Sequence, residues 1–413
     1  MRRRTKRDGT REGPGPRGLF TAAILVVLGL LVAWLCLRFA LVRALPPSAP
    51  AVSRVVPNDA GVTLAKATEA LVRQRGLLSP ADLDAVRRAA TAAPLDARAF
   101  LILGHQQLLD AQPQRAVKTL EAGQRLDPRQ RLIHLLLLDR YLRTARYAES
   151  ATQFAVLARL MGGTQAPIAA AMAQMALAPE TRDAVRRTLA TDAMLERRVL
   201  VALARSDTDP APIFALASAR ARAEAGNKDS WGPVLVSRLV ERDRYAAARA
   251  VWQRVHRLPD AAVATPIFDA RLAKSPASPP FNWTLASGSL GAADIRAGGL
   301  AVDYYGRESG DLASQLLVLR PGRYRFAVTV EPGKTDAASK LIWTIACAGN
   351  GQTALMNMPV IAAVAKRRIA ADFAVPPGCS AQSLTLRGEA GEFPVPIVVT
   401  LRDPTIQPVG PRP

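Results

Sequence analysis

Aromatic residues are scarce in this sequence, making up only 5% of its 413 residues. Hydrophobic residues nevertheless reach 49%. Any hydrophobic core must therefore be built mainly from Ala, Leu and Val. Stretches rich in Ala, Leu and Arg favour helices, because these residues are strong helix formers. The length allows two or three ordinary domains beside a membrane segment.

The residues and motifs that carry most enzyme chemistry are also scarce. The three histidines, His105, His134 and His256, lie in different predicted helices, and none has a partner at zinc-ligand spacing. The sequence contains no Gly-rich phosphate loop, no G-x-S-x-G elbow and no H-E-x-x-H. We therefore predict no catalytic, cofactor-binding or metal-binding residue and expect no enzymatic activity. A carbohydrate-active enzyme with two carboxylates distant in sequence stays open as an alternative.

Acidic residues are outnumbered by basic ones, 34 Asp and Glu against 55 Lys and Arg, which gives a formal net charge of +21. The excess is spread along the chain. One interpretation is a partner of opposite charge, such as an anionic polysaccharide. The other is a compositional preference for Arg. Nucleic-acid binding is not predicted, because the basic residues are not interleaved with aromatics.

A long uncharged run lies near the N-terminus. Residues 19–37 read LFTAAILVVLGLLVAWLCL, and the apolar character continues to Val42. About 20 such residues cross a bilayer as a helix, so we predict a transmembrane helix at 19–42. The alternative is a cleaved signal peptide, but the apolar run is longer than usual and Arg43 interrupts the region where cleavage would fall.

The flanks of this run predict its orientation. Residues 1–18 form a basic tail, and basic flanks are retained in the cytoplasm. Residues 43–57 read as a Pro-rich stalk. The prediction is a single-pass protein of a bacterial inner membrane with a cytoplasmic N-terminus and a periplasmic C-terminal bulk.

The middle of the chain, residues 58–274, reads as short amphipathic helices separated by Pro, Gly or Asp-Pro. The two clearest helical pairs are Ala97–Pro128 and Lys228–Pro259, in which small residues fall where two helices would cross. The predicted packing residues are Phe100, Leu103, Gly104, Ala116, Leu120, Pro128, Trp231, Ala247 and Pro259. Their offsets resemble those of tetratricopeptide repeats. The resemblance implies a solenoid with a concave, peptide-binding face, and a helical array without a groove is the alternative.

The last third of the sequence changes character after a linker at 275–280. Residues 281–407 alternate apolar runs with Gly, Pro and Asp, which is typical of an antiparallel β-sandwich, and residues 408–413 form a tail. The predicted fold class is α+β multidomain. The predicted strands are Phe281–Ala286, Gly299–Tyr305, Ala313–Leu319, Tyr324–Val330, Leu341–Cys347, Arg368–Val375, Ser383–Arg387 and Ile397–Arg402.

A Leu-x-x-Gly-x-Tyr pattern, Leu319 to Tyr324, precedes a long predicted strand. It resembles jelly-roll domains of the carbohydrate-binding type. The resemblance implies that aromatic side chains stack on sugars, and the candidates are Trp283, Tyr304, Tyr305 and Trp343. The alternative is that these rings belong to the core. Tyr304 and Tyr305 must point to opposite faces of a strand, so we expect one to be more exposed.

Two cysteines, Cys347 and Cys379, lie in the same region. In a periplasmic domain a disulfide between them is chemically permitted, and two buried free thiols are the alternative. The order of anchor, helices and β-domain resembles a group of bacterial envelope proteins. That resemblance implies a membrane-anchored scaffold that binds protein partners and supports cell-envelope or exopolysaccharide assembly. A glycan-binding protein acting through the sandwich is the other functional hypothesis.

Overall fold

The computed structural model describes residues 16–44, 49, 52, 56, 59–73, 76–162, 166–333, 340–349, 354–360, 365–392 and 395–410. The chain divides into two compact units, Met1–Leu160 and Met161–Pro413. Residues 1–15 of the predicted basic tail and most of the predicted stalk lie outside the described residues.

The first helix, α1, runs from Pro16 to Ala44. The helical conformation predicted for 19–42 is therefore confirmed. Large apolar side chains along α1 are exposed, among them Leu25 at 67% and Phe39 at 64%. Within the described part of the chain, no helix is both long and apolar enough to cross a membrane. The membrane span stays a prediction from the sequence.

Within the described residues of the first unit, six further helices follow, and each packs against a neighbour in the chain. Local signals mark the start of one of them: Ser79 Oγ accepts a hydrogen bond from Asp82 N at 3.2 Å, and Pro80 occupies the first helical position. The helices are α2 (Ala60–Arg73), α3 (Pro80–Ala92), α4 (Ala97–Leu109), α5 (Pro113–Leu126), α6 (Arg131–Arg143) and α7 (Tyr147–Leu160).

Helices α4 and α5 form the predicted pair Ala97–Pro128. Gly104 faces Leu120 so closely that a Cβ on Gly104 would lie 2.7 Å from Leu120 Cδ2. Ala116 is fully buried in the same crossing, whereas Phe100 and Leu103 are half-buried and pack towards α2 and α3. Pro128 is exposed in the turn after α5.

The helices of the second unit are α8 (Ala166–Leu177), α9 (Pro179–Ala190), α10 (Ala193–Arg205), α11 (Pro210–Leu216), α12 (Ala219–Ala223), α13 (Trp231–Glu241) and α14 (Tyr245–Val255). Trp231 is 1% exposed, and its Nε1 donates to Ala221 O at 3.2 Å. Ala247 is half-buried, and Pro259 is exposed beyond α14. The tetratricopeptide assignment itself stays a prediction.

The C-terminal part is an antiparallel β-sandwich, as predicted. Its strands are β1 (Thr284–Leu285), β2 (Gly291–Arg296), β3 (Gly299–Tyr304), β4 (Gly310–Leu317), β5 (Gly322–Val330), β6 (Lys340–Cys347), β7 (Ala354–Val360), β8 (Arg367–Val375), β9 (Gln382–Glu389) and β10 (Ile397–Pro408). The first sheet has the order β1-β4-β9-β6-β7, and the second has the order β2-β3-β10-β5-β8. Side chains from both sheets form one buried core.

Residues 275–280, predicted as a linker, are packed rather than free. Trp252 of α14 donates Nε1–H to Ser278 O at 2.7 Å, and its ring meets Phe268 and Phe281 at centroid distances of 4.8 and 5.7 Å. Ala277 is 6% exposed. The predicted boundary at 274 thus falls inside one compact unit, because apolar residues on both sides of the Pro-rich stretch bury against Trp252.

Candidate ligand-binding face of the sandwich

Three of the four predicted glycan-contact residues lie in the core. Trp283 is 6% exposed, Trp343 is 1% exposed and Tyr304 is fully buried. The two indole rings meet edge to face at 6.1 Å, and Trp343 also packs on Phe326 at 5.4 Å. This corrects their assignment as ligand-facing: in a chain with so few aromatics, the large rings fill the space between the sheets.

Tyr304 and Tyr305 have the different environments expected of neighbours in a strand. The Tyr304 hydroxyl donates to Glu308 O at 2.9 Å, and burial raises the pKa of this phenol. Tyr305 is 38% exposed. Of the four candidates, Tyr305 is therefore the one that a ligand can reach.

Cys347 and Cys379 are joined by a disulfide, with their Cα atoms 5.5 Å apart. The bond connects the end of β6, in the first sheet, to the loop that follows β8 of the second sheet. Gln382 is buried beside it, donating Nε2–H to Cys379 O at 3.0 Å and accepting from Leu319 N at 2.9 Å. The disulfide therefore fixes this end of the sandwich.

The outer face of the first sheet carries a feature that is not evident from the sequence. Each strand places one small polar residue in a single transverse line: Thr284, Ser314, Thr385, Thr344 and Asn357. The register pairs each with the next, from β1 through β4, β9 and β6 to β7. We call these five residues the hydroxyl row. With strands about 4.8 Å apart, the row spans about 19 Å.

The hydroxyl row presents both donors and acceptors. Thr344 donates to Asn357 Oδ1 at 3.1 Å, which leaves both Asn357 Nδ2 hydrogens for other acceptors. Thr385 Oγ1 lies 3.1 Å from Ser383 Oγ. Thr284 and Asn357 are exposed, and the three central residues are half-buried. Within the described residues, Ser314 Oγ has no hydrogen-bond partner.

The lines on either side of the hydroxyl row differ from it. One contains the half-buried residues Leu316, Ser383 and Ala346, of which only Ser383 carries a hydroxyl. The other contains Ile342 and an exposed ion pair in which Arg387 Nη1 lies 3.1 Å from Asp311 Oδ1. The face therefore combines an uncharged line of hydrogen-bonding groups with apolar residues on both sides of it, and the ion pair lies on one side only.

A buried carboxylate in the helical part, Glu196, could suggest catalysis. It is 1% exposed and accepts hydrogen bonds from Ser218 N, Ser218 Oγ and Arg220 Nη2 at 2.8, 3.0 and 2.9 Å. Both carboxylate oxygens are thus satisfied by neighbours, which fits a structural role. Among the described residues, no group of His, Cys, Asp and Glu could hold a metal ion.

No protein-family model matches the chain, and no curated protein matches it. Solved structures that resemble it include a CBM4 structure, at 16% identity over 35% of this chain and 97% of that one, with a TM-score of 0.26. The N-terminal cellulose-binding domain of a β-1,4-glucanase from Cellulomonas fimi is 14% identical over 33% and 100%, with a TM-score of 0.22. The CBM22-1 xylan-binding domain from Paenibacillus barcinonensis is 15% identical over 32% and 87%, with a TM-score of 0.23. At these TM-scores the likeness carries no argument about function.

Proposed function

We propose that this chain is a binding protein whose C-terminal sandwich holds an extended, neutral glycan along the hydroxyl row. The observation that carries the proposal is the register of the first sheet, which places one hydroxyl or amide side chain from each of five strands in one line. A linear ligand lying across the strands would meet all five residues.

The chemistry of the row suits sugar hydroxyl groups. Ser and Thr hydroxyls both donate and accept, and the Asn357 amide donates twice, so the row can match hydroxyls in either orientation. Leu316 and Ile342 can pack against the C–H faces of the sugar rings. Because the row is uncharged, a neutral glycan would leave no buried charge unpaired.

The test uses the purified full chain on an array of linear glycans. Thr344→Val together with Thr385→Val keeps the side-chain shape and removes the two central hydroxyls. We expect neutral glycan signals to fall at least about tenfold, since losing two hydrogen bonds at about 1 kcal/mol each has that effect. Thr400→Val, on the outer face of the second sheet, is the matched control and should bind as wild type. A blank array for the wild-type chain would refute the proposal.

We also propose that α1 attaches the protein to a membrane, with the N-terminus in the cytoplasm and the bulk of the chain after α1 in the periplasm. Consecutive residues Leu25 to Leu28 are each more than half exposed, and a helix turns about 100° per residue, so apolar side chains cover all faces. Such a surface is typical of a helix that contacts lipid. Retention of a chain lacking residues 1–44 in the membrane fraction would contradict this, and a periplasm-specific reporter fused after residue 413 tests the orientation.

A scaffold role for the helices is the second candidate function. On α6, Leu132, Leu135 and Leu142 are 36%, 45% and 39% exposed and share one face. This apolar face is suited to contact with a protein partner, and we propose that the partner belongs to an envelope-assembly complex. Crosslinking in cells, with Leu135→Glu as the comparison, should recover a partner with the wild type and lose it with the variant. The same crosslinks in both chains would exclude this face.

A further inference from the structure

The outer face of the second sheet carries arginines that differ in how their charge is compensated. Arg325 pairs with Asp372 at 2.6 Å, Arg296 pairs with Asp294 at 2.9 Å, and Arg402 pairs with Glu331. In these three cases a carboxylate neutralises the guanidinium.

Arg368 is held in a different way. Its Nη2 donates to Thr405 Oγ1 at 2.7 Å, and its Nη1 donates to Thr329 Oγ1 at 3.2 Å and lies 3.5 Å from Asp403 O. All three partners are uncharged oxygens. Thr329 points outward from β5 and is only 7% exposed. The guanidinium therefore extends from β8 across β5 to β10, fixed in place while keeping its full positive charge.

The surroundings leave this charge accessible. Ala327 and Ala370 are register partners beside Arg368, and their methyl groups leave the surface next to the guanidinium shallow. Lys366 and Arg367 precede Arg368, and all three side chains are exposed. Arg367 is next to Arg368 in β8, so its side chain is on the opposite side of the strand. Within the described residues, neither Lys366 nor Arg367 forms an ion pair.

We propose that Arg368, with Lys366 next to it, is a binding site for the carboxylate groups of an acidic polysaccharide. A guanidinium binds a carboxylate through two parallel N–H donors, and a guanidinium already fixed by neutral oxygens loses little freedom on binding. This site lies on the sheet opposite to the hydroxyl row and does not depend on the glycan-binding role proposed above.

The distribution of charge favours a polysaccharide over an anionic membrane surface. Among the described residues of this face, Arg368 at the start of β8 and Arg323 at the start of β5 have no ion pair and lie at opposite ends of the β5–β8 pair, whereas Asp294, Asp303 and Asp372 lie elsewhere on the same face. A flat anionic bilayer would meet these carboxylates as well. A single chain bearing carboxylates at intervals can contact Lys366 and Arg368 alone.

The experiment measures the affinity of the purified full chain for polygalacturonate and for its fully methyl-esterified form, which has the same backbone without the charge. Arg368→Gln should weaken polygalacturonate binding about tenfold, as expected for one charge-assisted bidentate contact. It should leave binding of the ester unchanged. Arg296→Gln removes an exposed arginine that Asp294 already neutralises, and it should stay within about twofold of wild type.

Arg368→Lys separates charge from position: it keeps the cation but cannot reach both threonine hydroxyls, so we expect an intermediate loss. Thermal unfolding of each variant verifies folding. Equal weakening by Arg368→Gln and Arg296→Gln, or no weakening by Arg368→Gln, would overturn the proposal. Binding to phosphatidylglycerol vesicles without binding to polygalacturonate would also overturn it. The proposal that the hydroxyl row binds neutral glycans is tested separately, by comparing Thr344→Val with Thr385→Val against wild type on neutral glycans.

Discussion

Thr344 on β6 donates its hydroxyl hydrogen to Asn357 Oδ1 on β7 across 3.1 Å. This bond fixes the amide orientation, so that Asn357 turns its two N–H donors away from Thr344. It also lies at one end of a line that continues through Thr385 and Ser314 to Thr284. The hydroxyl row is thus partly organised before any ligand binds, which lowers the entropic cost of binding.

Gly104→Ala should destabilise the first unit. The added Cβ would lie 2.7 Å from Leu120 Cδ2 and Cγ, inside a fully buried crossing. Overpacking typically costs about 1–3 kcal/mol, and the gain in helix propensity offsets about 1 kcal/mol of it. Chemical denaturation followed by circular dichroism should show a net loss of about 1 kcal/mol.

Gly61→Ala is the matched control in the same unit. There the nearest atoms to an added Cβ are Asp59 Oδ1 at 3.2 Å and Arg98 Nη2 at 3.6 Å, both at the ends of movable side chains. We expect it to be neutral or stabilising. If Gly104→Ala also leaves the stability of the first unit unchanged, the close approach of α4 and α5 at Gly104 is contradicted.

Reduction of the Cys347–Cys379 disulfide should destabilise the second unit. The two residues are 32 positions apart, and closing a loop of that size stabilises the folded state by about 3–4 kcal/mol in the chain-entropy account. Unfolding with and without dithiothreitol measures this difference. In Cys347→Ala with Cys379→Ala, the remaining cysteine is Cys36, and the reductant should then have no effect on unfolding.

The stability of the second unit should fall as the solution becomes acidic. Burial lowers the pKa of His256, whose Nε2 accepts a hydrogen bond from Ser278 N at 3.3 Å. The folded state thus binds a proton at His256 less tightly than the unfolded state does. The stabilisation that results is fully present above about pH 6.5 and is lost as the pH falls through the folded-state pKa.

His256→Gln keeps a hydrogen-bond acceptor and removes the titration. Denaturation midpoints read from tryptophan fluorescence at pH 7.5 and 5.0 should therefore differ less in this variant than in wild type. His105→Gln, in the first unit, serves as the control and should keep the wild-type difference. If the midpoints at pH 7.5 and 5.0 differ as much in His256→Gln as in wild type, other groups cause the loss of stability in acid.

The sequence predicted the sandwich and eight of its strands but missed β2 and β7. Both are edge strands. Strand β2 reads GAADIR and β7 reads ALMNMPV, and neither has the run of β-branched and aromatic residues that marks a central strand. Pro359 is tolerated in β7 because an edge strand leaves one row of backbone groups unpaired.

The hydroxyl row could not be predicted from the sequence, for a different reason. Thr284 and Ser314 are 30 positions apart, and Thr385 and Thr344 are 41 apart. Only the strand order and register place them side by side. The aromatic candidates are conspicuous in the sequence because aromatic residues are rare in it. Three of them, Trp283, Trp343 and Tyr304, instead fill the core.

The most direct test of the hydroxyl row is the dependence of affinity on ligand length. Dissociation constants for a series of oligosaccharides of the glycan selected by the array are measured by calorimetry with the full chain. The row predicts that affinity rises with each added sugar and levels off once the ligand spans about 19 Å, the width of five strands. It also predicts that this rise is lost in Thr344→Val with Thr385→Val. An affinity that is independent of length from the first sugar onward would contradict binding along the row.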